Sequence, residues 1–380
     1  MYRKYKPSGI FNGKEILPPG NVLITTTGGI VEAIVPEAEA GDAVQQLSGI
    51  LSPGFINAHC HLELSHFKGN IPEHTGLVNF VQQVMSRRAE NTMEEKLVAM
   101  QAAQLEMWQG GIVAVGDICN GTDSIPAKQN SPLYWHNFIE TTGFVDAAAQ
   151  NRLTSAEEIL RQFREQLSTF NFQFSIVPHA PYSVSKTLFR LINEKTAAQL
   201  ISIHNQETAA EDELYKNKKG GFLELYQNFG IDISNFVPTG KTSLQSWLPY
   251  FTKQQKIISV HNSFTGQEDI DFAKNKPGYC LCPNANIYIE NVLPPIELLL
   301  KNDCHIVLGT DSYASNHQLS IMAEINTIQK NFPQIPLAAV LQWATINGAK
   351  TLGIDDVFGS FEKGKKPGLV LVEEGEAKKI

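Results

Sequence analysis

The middle of the chain alternates between short apolar runs and longer segments, most of which have helical spacing. Each run ends in polar residues and could form a strand buried on both faces, as a parallel sheet requires. The runs are Phe55–His61, Ile112–Ile118, His136–Phe144, Phe174–Ser183, Leu200–Glu207, Ile257–Phe264, Gly278–Ile287 and Cys304–Ser312. Eight strands alternating with helices predict an α/β fold, specifically a (β/α)₈ TIM barrel. An open Rossmann-like sheet is the alternative, but no G-x-G-x-x-G follows the first run.

The two ends of the chain have a different pattern, with short β-prone runs separated by turn residues. Val22–Thr27 and Ile30–Val35 flank Gly28-Gly29, which is a hairpin signal. Near the other end, Gly359–Phe361 and Leu369–Val372 also have the composition of short strands. We therefore predict a small β-sandwich domain made of residues 1–52 and 353–380, and a barrel made of residues 53–352.

Composition excludes several classes of protein. The 380 residues are 42% hydrophobic and carry a net charge of −8, which argues against disorder and gives no electrostatic reason to expect nucleic-acid binding. We find no apolar stretch of about 18 residues, so no membrane span is expected. The start of the chain lacks the apolar run of a signal peptide, and the cysteine count is odd. These features predict a cytoplasmic protein with reduced thiols.

Polar residues gather at the carboxyl ends of the predicted strands, where barrel enzymes place their active sites. His59 and His61 end the first run, and the alternation of side chains along a strand aims both at one face. Two adjacent imidazoles can bind one cation. An H-x-H pair taken alone remains a weak signal, because neighbouring histidines also occur by chance.

Three later runs end in residues that can bind a metal or move a proton. His204 ends the fifth run, and Glu207 follows in the loop, where it could exchange protons with a metal-bound water or be a solvated carboxylate. His261 ends the sixth run and Asp311 the eighth. Each signal is ambiguous alone. Together they supply the three imidazoles and one carboxylate that suit a catalytic metal ion with water as its remaining ligand.

These motifs resemble the amidohydrolase superfamily, and more narrowly its cytosine-deaminase-like and chlorohydrolase-like branch. The resemblance covers nearly the whole chain and rests on Pro53–His61, His179–Ser183, His204-x-x-Glu207, Val260-His261 and Gly309–Asn316. It implies that one metal ion is bound by His59, His61, His204 and Asp311. It also implies that Glu207 shuttles a proton, that His261 orients the attacking water, that Asp311 accepts its proton, and that His179 contacts the substrate.

The resemblance also bears on the number and kind of metal ions. Two-metal members of the superfamily carry a bridging carboxylated lysine at the end of the fourth strand, whereas His179 stands in this position and Lys186 falls in the following helix. We therefore expect one divalent ion, zinc in the first place, with iron as the alternative. One-metal members are typically deaminases.

The expected reaction is hydrolytic deamination of an aminated heteroaromatic ring, in which water activated by the metal attacks the carbon that carries the amino group, and ammonia leaves. Polar residues near the strand ends are candidates for binding the ring: Glu63, Glu140, Tyr182, Asn284 and Asn286. Continued strand alternation would aim Glu63 into the site, although a surface carboxylate is an equal alternative.

The segments His61–Ser65, His179–Val184 and Val260–Asn262 are similar to those of aminodeoxyfutalosine deaminases of menaquinone biosynthesis. This similarity favours an aminopurine or nucleoside-like substrate. Hydrolysis of an amide or a carbon–chlorine bond uses the same metal and acid–base groups, so it stays open. A non-enzymatic barrel is disfavoured because the full ligand set is present. The expected partner is a small-molecule substrate, with no nucleic acid or membrane, and a homodimer is compatible with the resemblance.

Overall fold

Strands and helices alternate through the middle of the chain, as the sequence predicts. The computed structural model describes residues 1–274 and 276–380. Its strands are β1 (Tyr2–Lys6), β2 (Gly9–Phe11), β3 (Ile16–Leu17), β4 (Asn21–Thr26), β5 (Val31–Pro36), β6 (Gln45–Gln46), β7 (Ile50–Pro53), β8 (Phe55–Cys60), β9 (Ile112–Cys119), β10 (Tyr134–Thr141), β11 (Phe172–Pro178), β12 (Leu200–Asn205), β13 (Lys256–His261), β14 (Pro277–Leu281), β15 (Ile306–Leu308), β16 (Leu369–Glu373) and β17 (Glu376–Lys379). Its α-helices are α1 (Glu37–Ala40), α2 (Leu77–Arg87), α3 (Met93–Gln109), α4 (Ile125–Lys128), α5 (Ala149–Gln166), α6 (Lys186–Lys195), α7 (Ala209–Asn217), α8 (Phe222–Asn228), α9 (Ser243–Trp247), α10 (Gln267–Ala273), α11 (Pro283–Glu290), α12 (Ile296–Lys301), α13 (Ile321–Asn331), α14 (Leu337–Gln342) and α15 (Gly348–Leu352).

The central strands form parallel sheets. One has the order β11-β10-β9-β8 and the other the order β12-β13-β14-β15. Every residue of β9 and β10 is buried, because helices and neighbouring strands cover both faces. This explains why these strands read as continuous apolar runs rather than as alternating ones.

The two parallel sheets contact each other through backbone hydrogen bonds at both of their edges. His204 N–H, in β12, donates to the carbonyl of His179, just after β11, at 2.9 Å. At the other edge, Asp311 N–H donates to the carbonyl of His59 at 3.1 Å. There the Asn57 side chain also donates to Thr310 Oγ1 at 2.8 Å, although the two residues lie 253 positions apart in the chain. The carboxyl ends of the first and last central strands are therefore held together.

The terminal segments form two further sheets. One sheet has the order β5-β4-β1-β6, and the other, β17-β16-β7-β2-β3, joins strands from both ends of the chain. The predicted hairpin is confirmed, since β4 and β5 pair antiparallel. A separate apolar cluster that includes Tyr5, Leu23, Leu51 and Leu369 packs in this region. The predicted strand at Gly359–Phe361 is wrong, because Gly359 and Ser360 form a bend and Phe361 belongs to no regular element.

Seven of the eight predicted strands are shorter than their apolar runs, and three of these differences affect predicted site residues or their surroundings. The seventh stops at Leu281, and Pro283 then occupies the first turn of α11, where the missing N–H of proline costs nothing. Asn284 and Asn286 therefore lie on a helix. The eighth strand spans only Ile306–Leu308. The first stops at Cys60, and a 3₁₀ turn follows it.

A fully buried ion pair lies beside that 3₁₀ turn. The ammonium of Lys128, at the end of α4, contacts Asp117 Oδ2 at 2.5 Å and Asn137 Oδ1 at 2.7 Å. Burial acts to lower the pKa of Lys128, but the charge of Asp117 outweighs it and raises the pKa, so the lysine stays charged. The other carboxylate oxygen of Asp117 accepts the N–H of Leu62 at 2.8 Å, which turns the chain directly after His61.

No helix in the described residues is long and apolar enough to cross a membrane. All five cysteines are buried, and none of them forms a disulfide within the described chain.

Candidate metal centre and cavity

The residues predicted to bind a metal lie together at the carboxyl ends of the central strands. The Nε2 atoms of His59 and His61 are 3.1 Å apart. Asp311 Oδ1 lies 3.5 Å from His59 Nε2 and 3.4 Å from His61 Nε2. These three residues offer ligand atoms that all lie within 4.8 Å of one another, as a shared cation requires.

A second group of donors shares His59 with the first. His204 Nδ1 lies 3.0 Å from His261 Nε2, and both imidazoles belong with His59 to a set whose ligand atoms fall within 4.8 Å. Glu207 Oε2 lies 3.6 Å from His261 Nε2 and 3.8 Å from His204 Nδ1. The two groups of donors share His59, so all four predicted ligands belong to adjoining buried groups, with His261 in the second group and Glu207 beside it.

Unusual backbone conformations aim two of these side chains inward. His261 has a φ of +72° and Asp311 has a φ of +57°, and both values lie in the left-handed region that residues other than glycine seldom adopt. Such residues persist only where their surroundings hold them. The next residue, Asn262, donates its N–H to the carbonyl of Asn205 at 3.0 Å, and Asp311 N–H is held by His59 as described above.

The protonation states suit a cation. Burial lowers the pKa values of His61 and His204 well below their usual range, and it lowers that of His261 to about 4, so these rings are neutral near pH 7. Burial acts to raise the pKa of Asp311, but the hydrogen bond to His59 and the nearby histidines hold it below its usual value. Neutral imidazole and ionised carboxylate are the forms that bind a metal ion.

Unsatisfied polar atoms also fit a bound cation and a polar ligand. The buried atoms His204 Nε2 and Glu140 Oε1 have no hydrogen-bond partner, and they lie 3.7 Å apart. Buried polar atoms are seldom left unpaired, because burial without a partner costs roughly 1–3 kcal/mol. The residues present therefore fit the metal ion that the sequence predicts.

The pKa of Glu207 is shifted in the opposite direction from those of His61, His204, His261 and Asp311. Burial, and then the charge of Asp311, raise the pKa of the Glu207 carboxyl well above its usual value. A carboxyl group in this condition can hold a proton near neutral pH and give it up to a neighbouring base.

A cavity of about 350 Å³ opens over these residues. The polar part of its lining includes four residues of the candidate centre: His61, His204, Glu207 and Asp311. It also includes the predicted substrate-binding residues Glu140, His179 and Tyr182, and Asn120. Apolar side chains of α2 and α5, including Leu77, Phe80, Val84 and Ile159, also line the cavity, and α5 adds the polar residues Arg152 and Ser155. The cavity can therefore enclose a ligand with both polar and apolar parts.

Two of the predicted substrate-binding residues are held in place by the segment after β11. His179 Nδ1 lies 2.7 Å from Ser183 Oγ, which leaves the Nε2 side of the ring for another partner. The Tyr182 ring stacks on Phe222, with the ring centroids 4.3 Å apart, and borders the cavity. Both side chains therefore have fixed orientations beside the metal-binding residues.

The expectation that Glu63 points into the site by strand alternation is wrong, because the strand ends at Cys60 and Glu63 lies in the 3₁₀ turn. Its carboxylate accepts the backbone N–H of Asn120 at 3.0 Å and pairs with Arg88 at 3.3 Å. Asn120 in turn donates to the carboxylate of Glu140. Glu63 lies outside the described lining of the cavity, whereas Arg88, Asn120 and Glu140 line it.

The structure reveals supporting residues to which sequence reasoning gave no role or a different one. Asn286, predicted to bind the ring, donates to Ser263 Oγ at 2.5 Å and approaches His261 Nδ1 at 3.5 Å. Ser315 donates to Asp311 Oδ2. Arg88 gave no sequence signal, because it follows an amphipathic helix whose position over the site depends on the tertiary fold. Ser315 did have one, since it falls within the Gly309–Asn316 motif.

The sequence model of the amidohydrolase family matches residues 50–379, which is most of the chain. The chain belongs to the amidohydrolase family. The predicted resemblance is thereby confirmed. Members of this family bind a divalent metal ion, and the two groups of donor atoms that share His59 in this amidohydrolase are consistent with that property.

Individual relatives are similar over nearly the full chain. A 5′-deoxyadenosine deaminase from Methanococcoides burtonii is 25% identical over 375 residues, which cover 94% of this chain and 80% of the relative. Aminofutalosine deaminase from Helicobacter pylori, solved in complex with methylthio-coformycin, matches with a TM-score of 0.83 at 24% identity and covers 97% of this chain and 91% of that one. An adenosine deaminase from Xanthomonas campestris, solved with bound zinc, matches with a TM-score of 0.74 at 21% identity and covers 97% and 84%. The structural matches establish a shared α/β fold.

Proposed function

We propose that this amidohydrolase is a hydrolytic deaminase that removes the amino group of an adenine-type ring as ammonia. One observation carries the proposal: the four predicted metal ligands lie in adjoining groups beside the carboxyl of Glu207, whose pKa is raised by burial, and border a cavity of about 350 Å³. The names of the relatives point the same way, since they are deaminases of 5′-deoxyadenosine, aminofutalosine and adenosine.

In this proposal His59, His61, His204 and Asp311 hold one divalent ion. When bound, such an ion lowers the pKa of a coordinated water from about 15.7 towards 7, so that a nucleophile is present at neutral pH. Zinc is the first choice, because it occurs in the Xanthomonas relative, and iron is the alternative. A single ion is favoured because no lysine belongs to the described lining of the cavity, so a carboxylated bridge has no source there.

Proton transfer is assigned to Glu207. Its Oε2 atom takes a proton from the attacking water and delivers it to the leaving nitrogen, a role that suits a carboxyl whose pKa is raised by burial. His261 and Asp311 orient that water, and Asp311 accepts its second proton as the new carbon–oxygen bond becomes a carbonyl. Of the two protons, one leaves with ammonia and the other stays on the product. The left-handed backbone at both positions keeps their side chains aimed at the same point.

Substrate binding is assigned to Glu140, His179 and Tyr182, whose fixed side chains line the polar part of the cavity. Glu63 is assigned an indirect role, because it holds Arg88 and Asn120, which line the cavity, and does not line it itself. The apolar side chains of α2 and α5 suit a substituent remote from the amino group, so a substituted aminopurine nucleoside fits better than a free base. Aminodeoxyfutalosine is our specific proposal, on the sequence segments given above and on the aminofutalosine deaminase relative.

Hydrolysis of an amide or a carbon–chlorine bond is the second enzymatic candidate, because it would use the same ion and the same proton shuttle.

The test is ammonia release by the purified, zinc-loaded protein on a panel of adenosine, 5′-deoxyadenosine, aminodeoxyfutalosine, guanine, cytosine and a chlorotriazine. Adenine nucleosides should be the best substrates by kcat/KM. Faster turnover of guanine or cytosine would overturn the substrate proposal, and chloride release without ammonia release would overturn the reaction type. Glu207→Gln should keep the metal and lower kcat by about 10²- to 10⁴-fold.

We also propose the architecture that the sequence predicts. The parallel strands β8–β15 form a closed barrel within residues 53–352, supported by the backbone hydrogen bonds at both sheet edges. Residues 1–52 and 353–380 form a β-sandwich domain, supported by the two terminal sheets and their own apolar cluster. A cytoplasmic homodimer is the corresponding proposal for location and assembly, and light scattering of the purified protein measures the latter.

A further inference from the structure

The loop that carries Glu207 is held by a carboxylate from the helix that follows it. This loop joins β12 to α7, and Gln206 in it has a left-handed φ of +44°. Glu211, in the first turn of α7, accepts the N–H of Gln206 at 3.0 Å through Oε2 and the N–H of Glu207 at 2.9 Å through Oε1. Each carboxylate oxygen thus holds one of two successive backbone amides.

Helix capping alone does not explain this arrangement. Thr208 is the N-cap of α7 and Glu211 is its third residue, the positions of a capping box. In a capping box the carboxylate would accept the N–H of Thr208 itself. Here it instead reaches the two residues before the cap, Gln206 and Glu207, while Thr208 caps Ala210 with its own hydroxyl. Because Thr208 already caps the helix, the hydrogen bonds that Glu211 accepts stabilise the loop rather than the helix end.

We call the Glu211 carboxylate, with its hydrogen bonds from the N–H groups of Gln206 and Glu207, the clamp, and the clamp is itself buried. Glu211 is fully buried, and Ser243 Oγ, in α9, donates to its Oε2 at 2.8 Å. The carboxylate therefore has three donors around it and little freedom to move. Its position sets the backbone from which the Glu207 side chain extends to within 3.6 Å of His261 Nε2.

We propose that Glu211 is a positioning residue for proton transfer at Glu207. The inference rests on the proposed function, because it assigns Glu207 the proton shuttle. Proton transfer requires the donor and acceptor to be within hydrogen-bond reach, and a displacement of about 1 Å can cost roughly 100-fold in rate. Glu211 lies outside the described lining of the cavity and contacts the loop through the backbone N–H groups of Gln206 and Glu207. Its charge also helps to raise the pKa of Glu207, and Glu211→Asp, which keeps that charge, separates this effect from positioning.

Glu211→Gln is the decisive variant, because it is nearly isosteric but offers one acceptor oxygen instead of two. Its amide N–H₂ would face one of the two backbone N–H groups, so one hydrogen bond is lost. Ser243→Ala is the matched control, since it removes a donor to the same carboxylate and leaves both backbone hydrogen bonds intact. Glu211→Asp keeps the charge but withdraws the carboxylate by one methylene, so it serves as the second variant if the first does not fold.

In Glu211→Gln we expect kcat to fall by about 10- to 100-fold, with KM changed by less than about threefold and the metal content unchanged. Ser243→Ala should keep kcat within about threefold. Hydrogen exchange measured by mass spectrometry on a peptide containing residues 206–208 should be faster in Glu211→Gln than in Ser243→Ala. This exchange measurement needs no substrate, so it tests the clamp even if no adenine nucleoside is turned over and the proposed function fails.

A double variant separates positioning from general stabilisation. If Glu211 acts through Glu207, adding Glu211→Gln to Glu207→Gln should lower the residual kcat by less than about twofold, because the group being positioned is already absent. A full additional loss in the double variant would overturn the proposal. So would an unchanged kcat in a folded Glu211→Gln protein, or unchanged amide exchange in the loop.

Discussion

The buried pair of Lys128 and Asp117 makes a quantitative prediction about stability. Lys128→Met fills a similar volume but removes the ammonium that contacts Asp117, Asn137 and Cys119. Asp117 is fully buried, so its carboxylate would keep as donors only the N–H of Leu62 and the weakly donating thiol of Cys119 among the described residues. Leaving one member of a buried ion pair uncompensated costs about 3–5 kcal/mol, a large share of the roughly 5–15 kcal/mol by which folded proteins are stable.

The assay is thermal and urea unfolding of the zinc-loaded variants, followed by circular dichroism. The double variant Lys128→Met with Asp117→Asn should recover most of the lost stability, because it removes both charges and keeps an acceptor for Leu62 N–H. Arg161→Met is the surface control: its ion pairs with Glu158 and Glu165 are exposed, so the unfolding midpoint should not change measurably. A loss below about 1 kcal/mol in Lys128→Met, or a double variant no more stable than the single one, would refute the reasoning.

Three further predictions concern the metal ion, acid stability and the cavity. His61→Ala should lose the ion on dialysis while staying folded, which elemental analysis checks; retention of one ion per chain would contradict the assigned ligands. Burial lowers the pKa of His136 from 6.5 to about 3, so the unfolded chain binds a proton that the folded state resists. The free energy of unfolding that neutral, buried His136 contributes is fully present above pH 6.5 and falls by about 1.4 kcal/mol per pH unit as the pH decreases from there. The free energy of unfolding of His136→Gln should therefore depend less on pH between 6.5 and 5. Arg152 lines the cavity and has no ion pair within the described residues, so Arg152→Ala should raise KM for a substrate analogue that bears a carboxylate, but not for its neutral carboxamide.

The sequence was sufficient to predict residues whose placement depends on strand geometry. His59 and His61 are two residues apart, so alternation aims both at one point, and His204, His261 and Asp311 follow at the ends of later parallel strands. Parallel strands bring their carboxyl ends to the same edge of a sheet, so the sequence alone predicts that these residues, although far apart in the chain, lie close together.

Residues beyond the strand ends were not predictable in the same way, because their course is set by long-range hydrogen bonds. Alternation past His61 fails since Asp117 draws the Leu62 N–H into a turn, and Glu63 then faces Arg88 instead of the cavity. The clamp by Glu211 depends on which backbone amides the loop leaves unpaired. No periodicity in the sequence encodes that choice.

The pairing of Asn57 with Thr310 has a consequence for the newly made chain on the ribosome. His59 is synthesised early, but Asp311 arrives only after most of the chain, and Thr310 beside it is bonded to Asn57 across 253 positions. A growing or truncated chain that lacks the last central strand has imidazoles but no closing carboxylate, so it can capture an ion only weakly. Under the proposed ligand assignment, acquisition of the ion follows synthesis of the last central strand, and a protein shortened before residue 310 should emerge from cells without metal.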